Sequence, residues 1–154
     1  MSTKDYSDKQ EKMIAEYLDW HQVSGSGARP HSTGDVESSE WLGECKTHVK
    51  PGQKIFFDSS IWKKIAEEAL AKFKSPAYFV DDGSQKESRT WVIFNEQMLS
   101  SRFNVKAYPL RCSTTIRFAH SELKAITSEM DVYRITLGEY RLMLCTLETF
   151  YNII

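Results

Sequence analysis

Asp35, Glu44 and Lys46 are the residues whose types and spacing best suit chemistry in this chain. Glu44 and Lys46 lie two apart within Trp41-Leu42-Gly43-Glu44-Cys45-Lys46-Thr47-His48, which reads as a strand. At a period of two they project from one face, and Cys45 between them points to the other. Two carboxylates beside a lysine can hold a divalent ion against a phosphodiester. Such an ion neutralises charge building on the phosphate oxygens and lowers the pKa of an attacking water. Mg²⁺ takes oxygen ligands, usually one or two carboxylates completed by water and substrate phosphate. Asp35 and Glu44 are the candidate ligands, and Lys46 is placed to orient the water and stabilise the developing charge. The bare D-x₈-E-x-K pattern also fits an exposed edge strand with a charged face.

The elements around the triplet sharpen the choice. Gln10-Glu11-Lys12-Met13-Ile14-Ala15-Glu16-Tyr17-Leu18 has helical periodicity, with Ile14, Tyr17 and Leu18 inward and Met13 beside them. A small-residue loop follows, Val23-Ser24-Gly25-Ser26-Gly27-Ala28-Arg29, and then Thr33-Gly34-Asp35-Val36. The short interval from Asp35 to Glu44 predicts a tight hairpin turning near Glu37-Ser38-Ser39-Glu40. A helical Glu, a Ser-Gly-Ser loop, an Asp and Glu-x-Lys, in that order, resemble the archaeal Holliday-junction resolvases and their phage relatives in the PD-(D/E)xK nuclease superfamily. The resemblance covers about residues 8–95. It departs at Gly34, where the family has a proline, and in the shortness of the interval before Glu44. It implies catalytic roles for Glu11, Asp35, Glu44 and Lys46. Asp35 and Glu44 would ligate Mg²⁺, or Mn²⁺ in its place, and Glu11 would reach the ion through water. It also implies that Ser24 or Ser26 contacts the DNA or the water shell of the metal, and Arg29 of the same loop is a further candidate for DNA contact.

Composition is compatible with such an enzyme. The chain has 154 residues, 41% hydrophobic and 12% aromatic, which suits one globular domain with a sizeable core. Cys45, Cys112 and Cys145 are odd in number and widely spaced, so neither a disulfide framework nor a zinc site is expected. Nothing reads as a secretory signal or a membrane span. A reduced, cytoplasmic setting, phage or prokaryotic, is the expectation.

Net charge is −1, but it is unevenly distributed. Residues 1–44 hold four Lys/Arg against nine Asp/Glu, a net of −5, and residues 45–74 hold seven against three, a net of +4. Residues 100–120 contain Arg102, Lys106, Arg111 and Arg117 and no acid, with Phe103, Tyr108 and Phe118 interleaved. Basic blocks beside a carboxylate cluster suit a groove that follows a phosphate backbone. The same blocks also fit a solvated surface, and the aromatics a core. Lys54, beyond the Pro51-Gly52 turn, reaches a phosphate if its loop folds back over the site.

Farther along, a helix is predicted from about Ser60 to Phe73, with Trp62, Ile65, Ala66, Ala69, Leu70 and Phe73 as its apolar stripe. Strands are predicted at Ala77-Tyr78-Phe79-Val80 and Thr90-Trp91-Val92-Ile93-Phe94. A strand, helix and strand at this spacing form a crossover, which makes the two strands parallel. Asp81-Asp82-Gly83-Ser84 reads as a turn whose aspartates accept backbone hydrogen bonds. Ser121 to Met130 suits a helix, and Thr136-Leu137-Gly138-Glu139 a capping box opening a longer one with Tyr140, Leu144, Leu147 and Tyr151 on one face. The additional apolar residues of that tail suggest a central helix or a subunit interface.

These readings give an α/β fold. It has a restriction-endonuclease-like core (helix, three-strand meander, helix, strand) over about 8–95 and a C-terminal extension over about 96–154. The expected activity is Mg²⁺-dependent endonucleolytic cleavage of DNA, chiefly branched DNA, by a homodimer that makes paired cuts. A sequence-specific or end-processing nuclease of the same superfamily, and a non-catalytic nucleic-acid-binding protein that retains the fold, are the alternatives.

Overall fold

The hairpin that carries Asp35 and Glu44 lies on one flank of an eight-stranded mixed sheet. The computed structural model describes residues 1–23, 34–124 and 130–154. Within these, the elements run α1 (Thr3–Leu18), β1 (His21–Gln22), β2 (Val36–Glu37), β3 (Trp41–Lys46), β4 (Ile55–Asp58), α2 (Ser59–Ala71), β5 (Ser75–Asp81), β6 (Thr90–Asn95), β7 (Asn104–Ala107), β8 (Thr115–Phe118), α3 (His120–Lys124), β9 (Asp131–Leu137), β10 (Tyr140–Thr146) and α4 (Leu147–Ile153). The large sheet has the order β1-β2-β3-β5-β6-β10-β9-β7, and β4 and β8 form a separate two-stranded ribbon. The fold is mixed α/β with a mostly sheet core. No helix among the described residues is long and apolar enough to cross a membrane.

Alternation along the strands sends side chains into two cores, one on each face. Ile14, Ala15 and Leu18 of α1 pack with Trp41, Cys45, Phe79, Phe94 and Phe150 on one face. Trp62, Ile65 and Ala69 of α2 pack with Leu42, Tyr78, Val80, Ile93 and the ribbon residues Phe57 and Phe118 on the other. Phe103 and Phe118 are therefore core residues, and Tyr108 is half-buried with its ring edge-on to Phe118 and Tyr133.

Much of the first half follows the sequence expectation. Helix α1 begins earlier, at a Ser2 cap whose hydroxyl accepts from the Asp5 N–H while the Asp5 carboxylate accepts from Ser2. The hairpin turns at 38–40, where Ser38 Oγ accepts from the Glu40 and Trp41 N–H groups. After α2, β5 returns parallel to β3, with Glu44 opposite Tyr78, and β6 pairs antiparallel to β5.

Three expectations are corrected. First, Thr136-Leu137-Gly138-Glu139 opens no helix: β9 and β10 form a hairpin through Gly138, which has φ +61°. Tyr133, Ile135 and Leu137, then Leu142 and Leu144, alternate onto one core, and that period of two outweighs the local capping pattern. Second, Leu147 and Phe150 lie fully buried within the chain, so these two are core residues and not part of an interface, whereas Tyr151 and Ile154 stay exposed. Third, Leu70 (74% exposed) and Phe73 (96% exposed) leave the α2 stripe. The helix ends at Ala71, and Phe73 takes a left-handed φ of +58° that turns its side chain outward. The expected helix at 121–130 is represented by α3, and residues 125–129 lie outside the described residues.

Candidate active site

Strand β3 supplies Glu44 and Lys46 from one face, as period two requires, with Lys46 Nζ 3.2 Å from Glu44 Oε1. Cys45 points into the α1-side core. Asp35, just before β2, is tied to the same strand twice. Its N–H donates to the Gly43 carbonyl at 2.7 Å, and its Oδ2 accepts from the Cys45 N–H at 2.8 Å. The amide between Glu44 and Lys46 thus fixes the Asp35 carboxylate beside them.

Gly34 makes this entry possible. Its φ of +67° lies where proline, with φ near −65°, cannot go, and an added Cβ would stand 2.8 Å from Leu42. The glycine is required by the way the chain enters the hairpin here. The Gly34 N–H donates to Glu68 Oε2 of α2 at 3.1 Å, anchoring the entry from the helix side.

Helix α1 brings Glu11 to the same place. Gln10 Nε2 donates to the Lys46 carbonyl at 2.6 Å, which sets the helix against the end of β3. The half-buried Glu11 carboxyl is pushed up to about 7, first by burial and then by the negative charges of Asp35 and Asp8, with a smaller push from Glu44. A hydrogen bond from Gln22 opposes the rise. The Glu44 carboxyl is also held above the usual range, first by burial and then by Asp35, with Lys46 and Lys64 opposing. The Cys45 thiol is raised by burial and then by Asp35, Glu11 and Glu44. Glu11, Asp35 and Glu44 therefore feel one another's charge, although they come from separate elements.

Such a cluster is destabilising until a cation or protons neutralise it. Among the described residues, no three His, Cys, Asp or Glu side chains converge closely enough to ligate one ion by themselves. Mg²⁺ asks for less, one or two carboxylates with the remaining positions filled by water and phosphate. Asp35 and Glu44 meet that requirement with hard oxygen donors, and Glu11 suits a water-mediated contact. The donor set fits Mg²⁺ or Mn²⁺.

The basic residues divide. Lys54 and Arg117 line one cleft with His48, Gln53 and Phe56, just past the end of β3. Arg102 and Lys106 are not brought to the carboxylates. β7 is the opposite edge of the sheet, five strand spacings from β3 or roughly 24 Å. Lys106 pairs there with Asp131 at 2.7 Å, and Arg102 donates to the Asn152 carbonyl. Arg111 is exposed between β7 and β8. Ser24, Ser26 and Arg29 lie outside the described residues. Asp81 and Asp82 serve the turn, as the sequence suggests: Asp81 Oδ1 accepts from Gly83 N–H and Thr47 Oγ1, and Asp82 Oδ1 from Ser84 N–H. Sequence reasoning missed Gln22, Lys64 and the cleft residues His48, Gln53 and Phe56. Lys64 was visible only as one charge of a basic helix, and its side of α2 could be assigned only once β3 was packed against it.

No protein-family model, curated protein or solved structure matches the chain.

Proposed function

We propose that this chain is a Mg²⁺-dependent nuclease of restriction-endonuclease-like architecture that hydrolyses DNA phosphodiester bonds. The observation that carries the reading is Asp35 held by the Cys45 amide beside Glu44 and Lys46, with Glu11 of α1 close enough to feel the charge of both carboxylates. A protein that only binds nucleic acid gains nothing from carboxylates that repel phosphate. The order of elements is compatible with the same reading, with one departure: α1 precedes the meander β1-β2-β3 and α2 leads into β5, parallel to β3, but the ribbon strand β4 intervenes between β3 and α2. The preference for branched DNA rests on the sequence order of Glu, Ser-Gly-Ser loop, Asp and Glu-x-Lys. Paired cuts at a four-way junction would call for two copies.

Each residue has a definable task. Asp35 and Glu44 would hold the ion, and the Cys45 amide keeps Asp35 in register with Glu44. A bound Mg²⁺ supplies charge neutralisation at the phosphate and acidifies the attacking water. Lys46, half-exposed and paired with Glu44, would stabilise the negative charge growing on the phosphate oxygens. Glu11 would reach the ion through one of its bound waters.

The test is cleavage of labelled four-way junction, linear duplex and single-stranded DNA, with Mg²⁺ and with EDTA. Metal-dependent cutting is expected, fastest on the junction. Asp35→Asn and Glu44→Gln should lower it by orders of magnitude while folding and DNA binding persist. Cleavage undiminished in both variants, or no cleavage of any substrate by the wild type, refutes the reading.

A further inference from the structure

Lys54 and Arg117 are 63 residues apart in sequence and meet across one cleft. The cleft has a volume of about 310 Å³ and is lined by His48, Gln53, Lys54, Phe56 and Arg117, with no carboxylate among them. The β4–β8 ribbon builds one wall, pairing Phe56 directly with Arg117. The guanidinium carbon of Arg117 stands 4.9 Å from the centre of the Phe56 ring, a cation–π contact that ties the side chain to the ribbon. Among the described residues neither Lys54 nor Arg117 makes an ion pair.

The other wall is the segment that continues from Lys46, and it is fixed from behind. Gln85 Nε2 donates to Thr47 Oγ1 at 2.9 Å, to the His48 carbonyl at 3.0 Å and to the Gly83 carbonyl at 2.7 Å. The Gln53 N–H donates to the Asp82 carbonyl at 2.8 Å. The two segments press so closely that a Cβ on Gly83 would stand 2.0 Å from the Lys50 carbonyl oxygen. Asp81 and Asp82 lie behind this wall, with their Oδ1 atoms occupied by Thr47, Gly83 and Ser84. A cleft held open in this way loses little entropy on binding.

We propose that this cleft binds a phosphate of a nucleic-acid strand, adjacent along the backbone to the phosphodiester held at Asp35, Glu44 and Lys46. The proposal rests on the nuclease reading for the identity of the strand. An arginine fork held on an aromatic ring, a mobile lysine point charge and a neutral amide together match the several acceptors of one phosphate. His48 lies two residues past Lys46, which places the cleft next to the reacting centre along the chain. A merely solvated surface does not account for two cations, 63 residues apart in sequence, gathered around one carboxylate-free cleft in a chain of net charge −1.

The experiment is fluorescence anisotropy of a labelled 20-nucleotide single strand and its duplex, in EDTA, over a range of salt concentrations. Wild type, Lys54→Gln, Arg117→Gln and the double variant are compared, with melting temperatures for each. Each single change should weaken binding about three- to tenfold and reduce the slope of log K against log salt by about one, and the double change by about two. Lys54 is exposed on a loop, so its variant tests the cleft even if Arg117→Gln disturbs the ribbon. Unchanged slopes in a protein whose wild type cuts DNA in an Asp35-dependent way would overturn the cleft and leave the nuclease standing. Slopes that fall in a protein that never cuts DNA would uphold the cleft and remove the nuclease. Binding of millimolar inorganic phosphate without oligonucleotide binding would overturn the strand assignment.

Discussion

Replacing Glu11 with Gln should make the metal-free protein more stable at pH 8, although it removes a residue of the proposed site. The Glu11 carboxyl stands at about 7 against an ordinary value of 4.5, because burial and the charges of Asp35 and Asp8 disfavour its ionised form. Between those values the folded state binds more protons than the unfolded state, so stability falls as pH rises through the window. The full difference corresponds to about 3 kcal/mol. Glu11 is only half-buried, and solvent screening reduces the expected effect to about 1–2 kcal/mol. Glutamine keeps the shape and a carbonyl that accepts the Gln22 hydrogen bond, and it carries no charge. In EDTA at pH 8 the variant should therefore melt roughly 3–6 °C above the wild type. The gap should narrow as pH falls through 7 and vanish below about 4.5, where Glu11 is protonated in both folded and unfolded wild type. Mg²⁺ should close part of the gap at pH 8 by stabilising the wild type more than the variant. Thermal and urea unfolding from pH 4 to 9, with and without Mg²⁺, measure all of this. A variant less stable than the wild type at pH 8, by an amount independent of pH, would mean that Glu11 is not repelled by Asp35 and that the carboxylates do not form one site.

Two further outcomes follow from the geometry. Lys46→Ala should reduce single-turnover cleavage by roughly 10²–10³-fold while DNA affinity changes far less; equal losses in rate and affinity would make Lys46 a plain phosphate contact. Phe150→Ala removes a ring packed edge-on against Trp41 (5.1 Å), Phe79 (5.7 Å) and Trp20 (6.1 Å) and should cost about 3–5 kcal/mol in urea unfolding, independent of protein concentration; a loss that vanishes at high protein concentration would return the residue to a subunit interface.

The parts of this molecule that were legible in its sequence are those whose partners lie nearby in the chain. Asp35 meets the Cys45 amide across a hairpin ten residues long, and both the turn chemistry of Ser38 and the alternation of Glu44, Cys45 and Lys46 are local signals. The β3–α2–β5 crossover is likewise written in one stretch, so its parallel pairing could be anticipated. The C-terminal third was misread where two periods overlap. Tyr140, Leu144, Leu147 and Tyr151 fit one helical face only if the strand β10 and the helix α4 are run together, and Gly138 in a left-handed turn separates that pattern from any capping box. The basic stretch at 100–120 illustrates the same limit in its function. Composition alone treats Arg102, Lys106, Arg111 and Arg117 as one group, but the topology divides them. The parallel pairing of β7 with β9 carries Lys106 to the far edge and into an ion pair, whereas the pairing of β8 with β4 returns Arg117 to Lys54 beside the end of β3. Each of those pairings joins a four-residue strand to a partner distant in sequence, a contact that neither propensity nor periodicity encodes. The carboxylate cluster was thus readable because a hairpin assembles most of it, and the anion cleft was not, because only the long-range return of the chain brings its two walls together.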